Sequence, residues 1–183
     1  MKKTLLMTCA FLLSTPAFAV DGTDRTSEVT RVGDWMVAEF TFPAGLLYRV
    51  ATESKLKNEQ YTLYFDLSPK DQCKPGKAVT NQYVGEYNED LASLPFMPMD
   101  FKINGGETHN DIATPAMEKN GYFFLAYHTL SVSHLMKGKN KGNLAVWIHP
   151  DADGRVEINK TYFSLNGFAA AYNKAEKLCR ENL

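Results

Sequence analysis

A hydrophobic repeat of helical period gives one long helix, and it falls at the C-terminal end. Phe168, Ala171, Tyr172, Ala175, Leu178 and Cys179 recur at the spacing of one buried stripe, with Asn173, Lys174, Glu176 and Lys177 opposite. The pattern predicts a helix with Asn166 as its N-cap. Upstream, the apolar residues come instead in short runs rich in aromatic and β-branched side chains. Residues 35–42, 46–51 and 61–67 read as strands. In the third, Tyr61, Leu63, Phe65 and Leu67 alternate with Thr62, Tyr64 and Asp66, the period of two expected when one face is buried. Pro43-Ala44-Gly45 reads as a hairpin loop, and residues 68–77 as a turn-rich loop. Weaker strands are expected at 79–87 and 101–103, and a fully buried one at 122–127. Residues 144–148 and 156–163 read as strands flanking a hairpin at 150–154, and residues 130–136 as a helical turn. Pro95 and Pro98 speak against a central strand at 94–99, because each removes a ladder donor. The expected fold class is mainly β: an antiparallel β-sandwich or barrel-like body with a C-terminal α-helix.

The first 19 residues carry a different message. Lys2 and Lys3 precede an apolar stretch from Leu5 to Leu13, Pro16 breaks the run, and Ala17-Phe18-Ala19 offers small residues for signal peptidase. The stretch is well short of the ~20 apolar residues that span a bilayer. Cys9 lies inside it, without the small-residue pattern of a lipid-attachment site. The expectation is a Sec-type signal cleaved after Ala19, giving a periplasmic or secreted bacterial protein. A flexible lead-in at 20–31 and a single β-rich domain at 32–183 would follow, with no later segment of membrane-spanning length. Loss of residues 1–19 leaves two cysteines, Cys73 and Cys179. In an oxidising compartment such a pair forms a disulfide, and no Cys-x-x-Cys or suitably spaced histidine favours a redox or metal site.

Charge and motifs limit the chemistry. With 20 Lys+Arg against 21 Asp+Glu, the chain lacks the basic excess of a general nucleic-acid binder. It has no Gly-x-Ser-x-Gly elbow, P-loop, His-Glu-x-x-His or dinucleotide glycine pattern. His128 and His134 are six residues apart, matching neither a strand face nor a helix turn, and His109 and His149 sit by turns or strand ends. Asp151-Ala152-Asp153-Gly154 resembles the start of a calcium loop but lacks its later ligands, and a hairpin turn explains it. No cofactor or metal is therefore expected. The most concentrated basic feature is Lys137-Gly138-Lys139-Asn140-Lys141-Gly142. It reads first as a solvated flexible loop and, more sharply, as a contact in which Lys137, Lys139 and Lys141 meet lipopolysaccharide phosphates or acidic glycans. Trp35 reads as a core anchor.

Gly33-Asp34-Trp35-Met36-Val37, the Leu135-Met136-Lys137-Gly138-Lys139 step and Ser164-Leu165-Asn166-Gly167-Phe168 resemble the invasion-associated locus B family. Ile103-Asn104-Gly105-Gly106, Pro115 and Gly121 fit its middle more loosely. Ala38 and Glu39 stand where family members carry a cysteine, and Met117 and Tyr122 where they carry a further pair, so the family's disulfide pattern does not transfer. The resemblance implies an exported β-rich module and carries over no catalytic residue. The expected function is thus a non-enzymatic exported protein contacting an envelope or host macromolecule. An alternative is a periplasmic small-molecule or lipid-binding module with a sheet cavity lined by Phe123, Phe124 and Trp147. A third is a hydrolase whose site is assembled from residues distant in sequence. Intact-mass measurement of the protein recovered from the periplasm should give a chain beginning at Val20; a retained Met1 would refute the signal assignment.

Overall fold

Among the described residues, ten strands pair antiparallel in a single sheet: β1 (Arg25–Val32), β2 (Trp35–Phe42), β3 (Gly45–Glu53), β4 (Tyr61–Leu67), β5 (Val79–Tyr83), β6 (Met97–Ile103), β7 (Thr108–Met117), β8 (Tyr122–Tyr127), β9 (Asn143–Ile148) and β10 (Thr161–Ser164). Their order across the sheet is β1-β2-β3-β4-β5-β8-β7-β6-β9-β10. Two short helices, α1 (Glu89–Ala92) and α2 (Val132–Lys137), lie in connections, and α3 (Phe168–Arg180) follows the last strand. The computed structural model describes residues 25–56, 61–149 and 160–183. The expected signal peptide, the 150–154 hairpin with its Asp151–Gly154 turn, and the start of the 156–163 strand lie outside the described residues.

One face of both halves of the sheet converges with α3 on a common buried cluster. Trp35, Tyr48, Leu63 and Phe65 come from the first half, Phe101, Leu125, Tyr127 and Val146 from the second, and Phe168, Ala171 and Ala175 from α3. The sheet must therefore curl around the helix. Its curl brings β10 against the end of β3, where Ser54 bridges Phe163 and the Lys55 N–H donates to the Tyr162 carbonyl at 2.8 Å. The sheet nevertheless does not close into a barrel. This is the mainly β architecture with a C-terminal helix that the hydrophobic periods call for.

Two glycine-bearing segments meet where α3 begins. Gly33 and Asp34 turn β1 into β2, and the Asp34 N–H donates to the Asn166 carbonyl at 3.1 Å. The Trp35 indole N–H donates to the Ser164 carbonyl at 2.8 Å, and its ring lies 4.7 Å from that of Phe168 between centroids. The Ser164 hydroxyl donates to the Asp34 carboxylate, while the Asp34 carbonyl accepts from the buried Thr52 hydroxyl at 2.7 Å. The approach leaves no room for a side chain at Gly167: a Cβ there would stand 2.2 Å from the Val32 carbonyl oxygen, and the backbone has φ +88°. Asn166 is consequently not the N-cap; Gly167 occupies that position without a side-chain bond. The Asn140 side chain, from a distant loop, accepts the Ala169 N–H instead, at 2.7 Å.

The far end of α3 is tied down covalently. Cys73, in the loop after β4, is joined to Cys179 across a sequence separation of 106. In the chain-entropy account, closing a loop of this size stabilises the fold by about 4–5 kcal/mol. The Asn182 amide also donates to the Tyr48 hydroxyl at 2.8 Å.

Several expectations require correction. Residues 25–31, read as flexible lead-in, belong to β1, whose register on β2 runs from Arg25↔Thr41 to Val32↔Trp35 with one irregularity between Thr26 and Glu28. Polar alternation hid a strand whose pairing is supplied by its neighbour. Residues 97–99, set aside because of their prolines, begin β6, a central strand between β7 and β9. The Pro98 carbonyl accepts from His149 N–H at 2.8 Å, so the nitrogen of Pro98 also points toward β9, at the place where that strand ends. The missing donor thus falls where no ladder bond is needed. β7 has no counterpart in the sequence reading. β8 is only partly buried: Leu125 and Tyr127 face the core, while Tyr122 and Phe124 are half-exposed on the other face.

The close approach at Gly167 sets a quantitative expectation. Gly105 also has positive φ, at +69°, but open space around its Cβ position. Gly105→Ala should cost about 1–2 kcal/mol from backbone conformation alone, whereas Gly167→Ala should cost clearly more, read as the shift of the urea midpoint for each variant.

Candidate functional site

The chain from residue 137 to 142 is exposed to solvent apart from Gly138, as its composition favours, and it is also hydrogen-bonded to other parts of the chain. Its placement begins on β7. The Asp111 carboxylate is buried and accepts three backbone N–H bonds, from Ile112 (2.7 Å), Thr129 (2.8 Å) and Leu130 (2.8 Å). These bonds fix the chain leaving β8 and so fix the start of α2. Leu135 of α2 is buried, and Gly138 packs so closely that a Cβ would meet the Leu165 side chain at 2.4 Å. After Gly138 the backbone turns sharply, with Lys139 at φ +51°, Asn140 at +57° and Gly142 at +81°.

Asparagines hold that turn in place. Asn104, in the β6–β7 turn, accepts the Asn143 N–H at 2.9 Å and donates to the Gly138 carbonyl at 3.4 Å. Asn140 is engaged with the first turn of α3, and the Gly142 carbonyl accepts from Leu165 N–H at 3.0 Å. Lys137, Lys139 and Lys141 remain exposed. The result is a fixed backbone ridge carrying three mobile ammonium groups. Exposed ammonium groups of this kind can pair with anions, and pre-ordering of the backbone reduces the entropy lost on such a contact. The bracing asparagines were not singled out in the sequence; the Asn104-Gly105-Gly106 turn signal was the only trace of one of them.

Two histidines that are distant in sequence meet beside this ridge. The rings of His109 on β7 and His134 on α2 have centroids 5.5 Å apart, and both contact Phe101, at 4.9 and 5.2 Å. His134 Nδ1 lies 2.8 Å from the Ser131 hydroxyl. Burial holds the His134 imidazole below its usual pKa; Lys137 and His109 push the same way, and Asp111 opposes them. The other two histidines lie elsewhere, His128 with the Thr114 hydroxyl at 2.7 Å and His149 with the Asp100 carboxylate at 2.9 Å. Among the described residues, no three of His, Cys, Asp and Glu converge as metal ligands.

The cavity proposed for a small apolar ligand does not assemble from the residues named for it. Phe123 packs against the core side of β8, whereas its neighbour Phe124 points to the opposite face, because successive side chains on a strand alternate. Trp147 lies on that opposite face too, directly across from Asp100. Trp35 is fully buried, as a core anchor should be. Among the described residues no helix is long and apolar enough to cross a membrane.

An antiparallel sheet of ten strands, curled around a C-terminal helix and stapled to it, defines the structural class. Among solved structures this chain is similar to invasion-associated protein B from Bartonella henselae, with a TM-score of 0.56 and 15% sequence identity over 85% of this chain and 99% of that one. At that identity the likeness establishes a shared fold. No family model and no curated protein matches the chain.

The burial of His134 makes stability depend on pH. The folded state takes up a proton at His134 less readily than the unfolded chain, whose imidazole titrates near 6.5. Stability should therefore fall as pH drops below that value and level off once His134 is protonated in the folded state as well. Thermal midpoints measured from pH 7.5 to 5 should decline less for His134→Gln than for the unaltered protein.

Proposed function

We propose that this is an exported bacterial protein without catalytic activity, which contacts an anionic group on an envelope or host macromolecule through Lys137, Lys139 and Lys141. The observation that carries the reading is the bracing of that ridge. Asn104, Asn140 and Gly138 hold the backbone fixed while the three lysines stay in solvent. The connection from α2 to β9 thus combines residues of positive φ with side-chain hydrogen bonds that tie it to the β6–β7 turn and to the first turn of α3. Export is supported by the signal-like N-terminal sequence, which also accounts for an oxidised Cys73–Cys179 pair. A surface-contact role is in keeping with the word "invasion" in the name of the structural neighbour, itself a protein of the same fold.

Lipopolysaccharide phosphates and acidic glycans both present the required negative charge. Each lysine at such a surface contributes about 1 kcal/mol at physiological ionic strength. Reversal of all three charges (K137E, K139E and K141E together) should weaken retention on lipopolysaccharide-containing vesicles by about a hundredfold or more. The retention that remains should depend less steeply on salt. Unchanged, salt-insensitive retention of the variant would reject the ridge as the contact.

A further inference from the structure

The outer face of the sheet, turned away from α3, carries an arrangement at β6, β9 and β10 that the core does not require. Trp147 on β9 is half-exposed, with the Lys160 ammonium 4.4 Å from its ring centroid and that of Lys102 at 6.0 Å. Lys160 also approaches Tyr162, at 5.9 Å. Register places these side chains together: Asp100 faces Trp147, Lys102 faces Ala145, and Ala145 faces Tyr162. Lys55 joins them, because its N–H binds the Tyr162 carbonyl and its ammonium reaches the Asn143 amide oxygen at 2.7 Å. Two rings and three ammonium groups thus share one surface. Among the described residues none of the three lysines is paired with a carboxylate.

Asp100, the acid that faces Trp147 across the ladder, is already engaged. The Asp100 carboxylate accepts from the Asn110 amide at 2.6 Å and lies 2.9 Å from His149 Nε2. This trio sits beside Trp147 as a set of fixed donors and acceptors, with Asn110 and His149 exposed to solvent. Cation–π contacts at exposed sites are weak, so they cost little to rearrange when a stronger anion arrives.

We propose that this face binds an acidic oligosaccharide. Trp147 and Tyr162 present flat apolar surfaces to the C–H face of a pyranose ring. Lys102, Lys160 and Lys55 meet its carboxylate or sulfate groups, and the Asp100–Asn110–His149 trio meets its hydroxyls. A single-stranded nucleic acid would also stack on aromatic rings beside lysines. Its continuous phosphate backbone, however, would run against the Asp100 carboxylate, whereas a saccharide with hydroxyls between charges matches both features. The site uses none of the ridge lysines and stands or falls separately from the ridge.

Fluorescence offers a direct test, since the chain has two tryptophans and Trp35 is fully buried. Iodide quenching should therefore report on Trp147. A hyaluronan octasaccharide, with one carboxylate per disaccharide and hydroxyls between, should protect Trp147 from iodide in a saturable manner, and a neutral chitohexaose should bind at least tenfold more weakly. The double variant K102A/K160A should lose at least tenfold in affinity for the octasaccharide. Replacement of the exposed Lys160 alone by Gln should give a smaller loss, and calorimetry with Trp147→Phe a loss of similar size. In the K137E/K139E/K141E variant the octasaccharide should still protect Trp147 from iodide, half-saturating within twofold of the concentration needed with the unaltered protein, which separates this site from the ridge. No saturable protection, unchanged affinity in folded K102A/K160A or K160Q, equal affinity for chitohexaose, or tighter binding of oligo-dT would each overturn the proposal.

Discussion

The contact between the β1–β2 turn and the chain entering α3 holds the rest of the molecule in register. Trp35 lies at its centre, with its indole N–H on the Ser164 carbonyl and its ring against Phe168. Around it the Asp34 backbone and carboxylate bind Asn166 and Ser164, and Gly167 lets the Val32 carbonyl come close. Burying a large aromatic pair contributes several kcal/mol, but its larger consequence is geometric. The segments it joins lie some 130 residues apart, near opposite edges of the sheet. Once they meet, the sheet must curl, and α3 is trapped on its inner face. The disulfide then secures the other end of the same helix, so α3 cannot pivot on its Trp35 anchor.

The curl produces two surfaces of different character. On the inside, side chains from both halves of the sheet exclude water around α3. On the outside, residues of the same strands stand in solvent or under polar cover. Arg49, for example, binds Asp66 through two nitrogens, at 2.7 and 2.8 Å, while stacking over Tyr64 at 3.9 Å from its centroid. The ridge at residues 137–142 is tied to the same anchoring. Its Asn140 side chain accepts the Ala169 N–H in the first turn of α3, and Asp111 sets the start of α2 from within the sheet.

Legibility along the chain followed the energetics of burial. β2, β3 and β4 could be read because each carries enough apolar residues on one face to specify which side faces the core. The helix stripe was legible for the same reason. β7 was not legible. Asn110, Asp111 and Pro115 lie within it, and it is a strand because β6 and β8 supply ladder partners on both sides. β1 was missed likewise, and Pro98 was misjudged because the direction of its nitrogen depends on where β9 stops. Of the candidate site, the three lysines were visible as a charge cluster. The asparagines that brace them were not, since an Asn in a loop has the same appearance whether it caps a distant helix or faces water.

By itself the sequence determined the fold class, the terminal helix, the core-facing residues of β4 and of that helix, and the pairing of Cys73 with Cys179. Each depends on local period or on a count, which a linear chain displays. Only the tertiary structure decided that the sheet curls without closing, that His109 and His134 touch, that Phe123 and Phe124 serve opposite faces, and that Lys55, Lys102 and Lys160 gather around Trp147 and Tyr162. These are meetings of residues remote in sequence or consequences of which face a strand buries. They are set by register and by the anchoring of α3, and no local pattern of residue types encodes either.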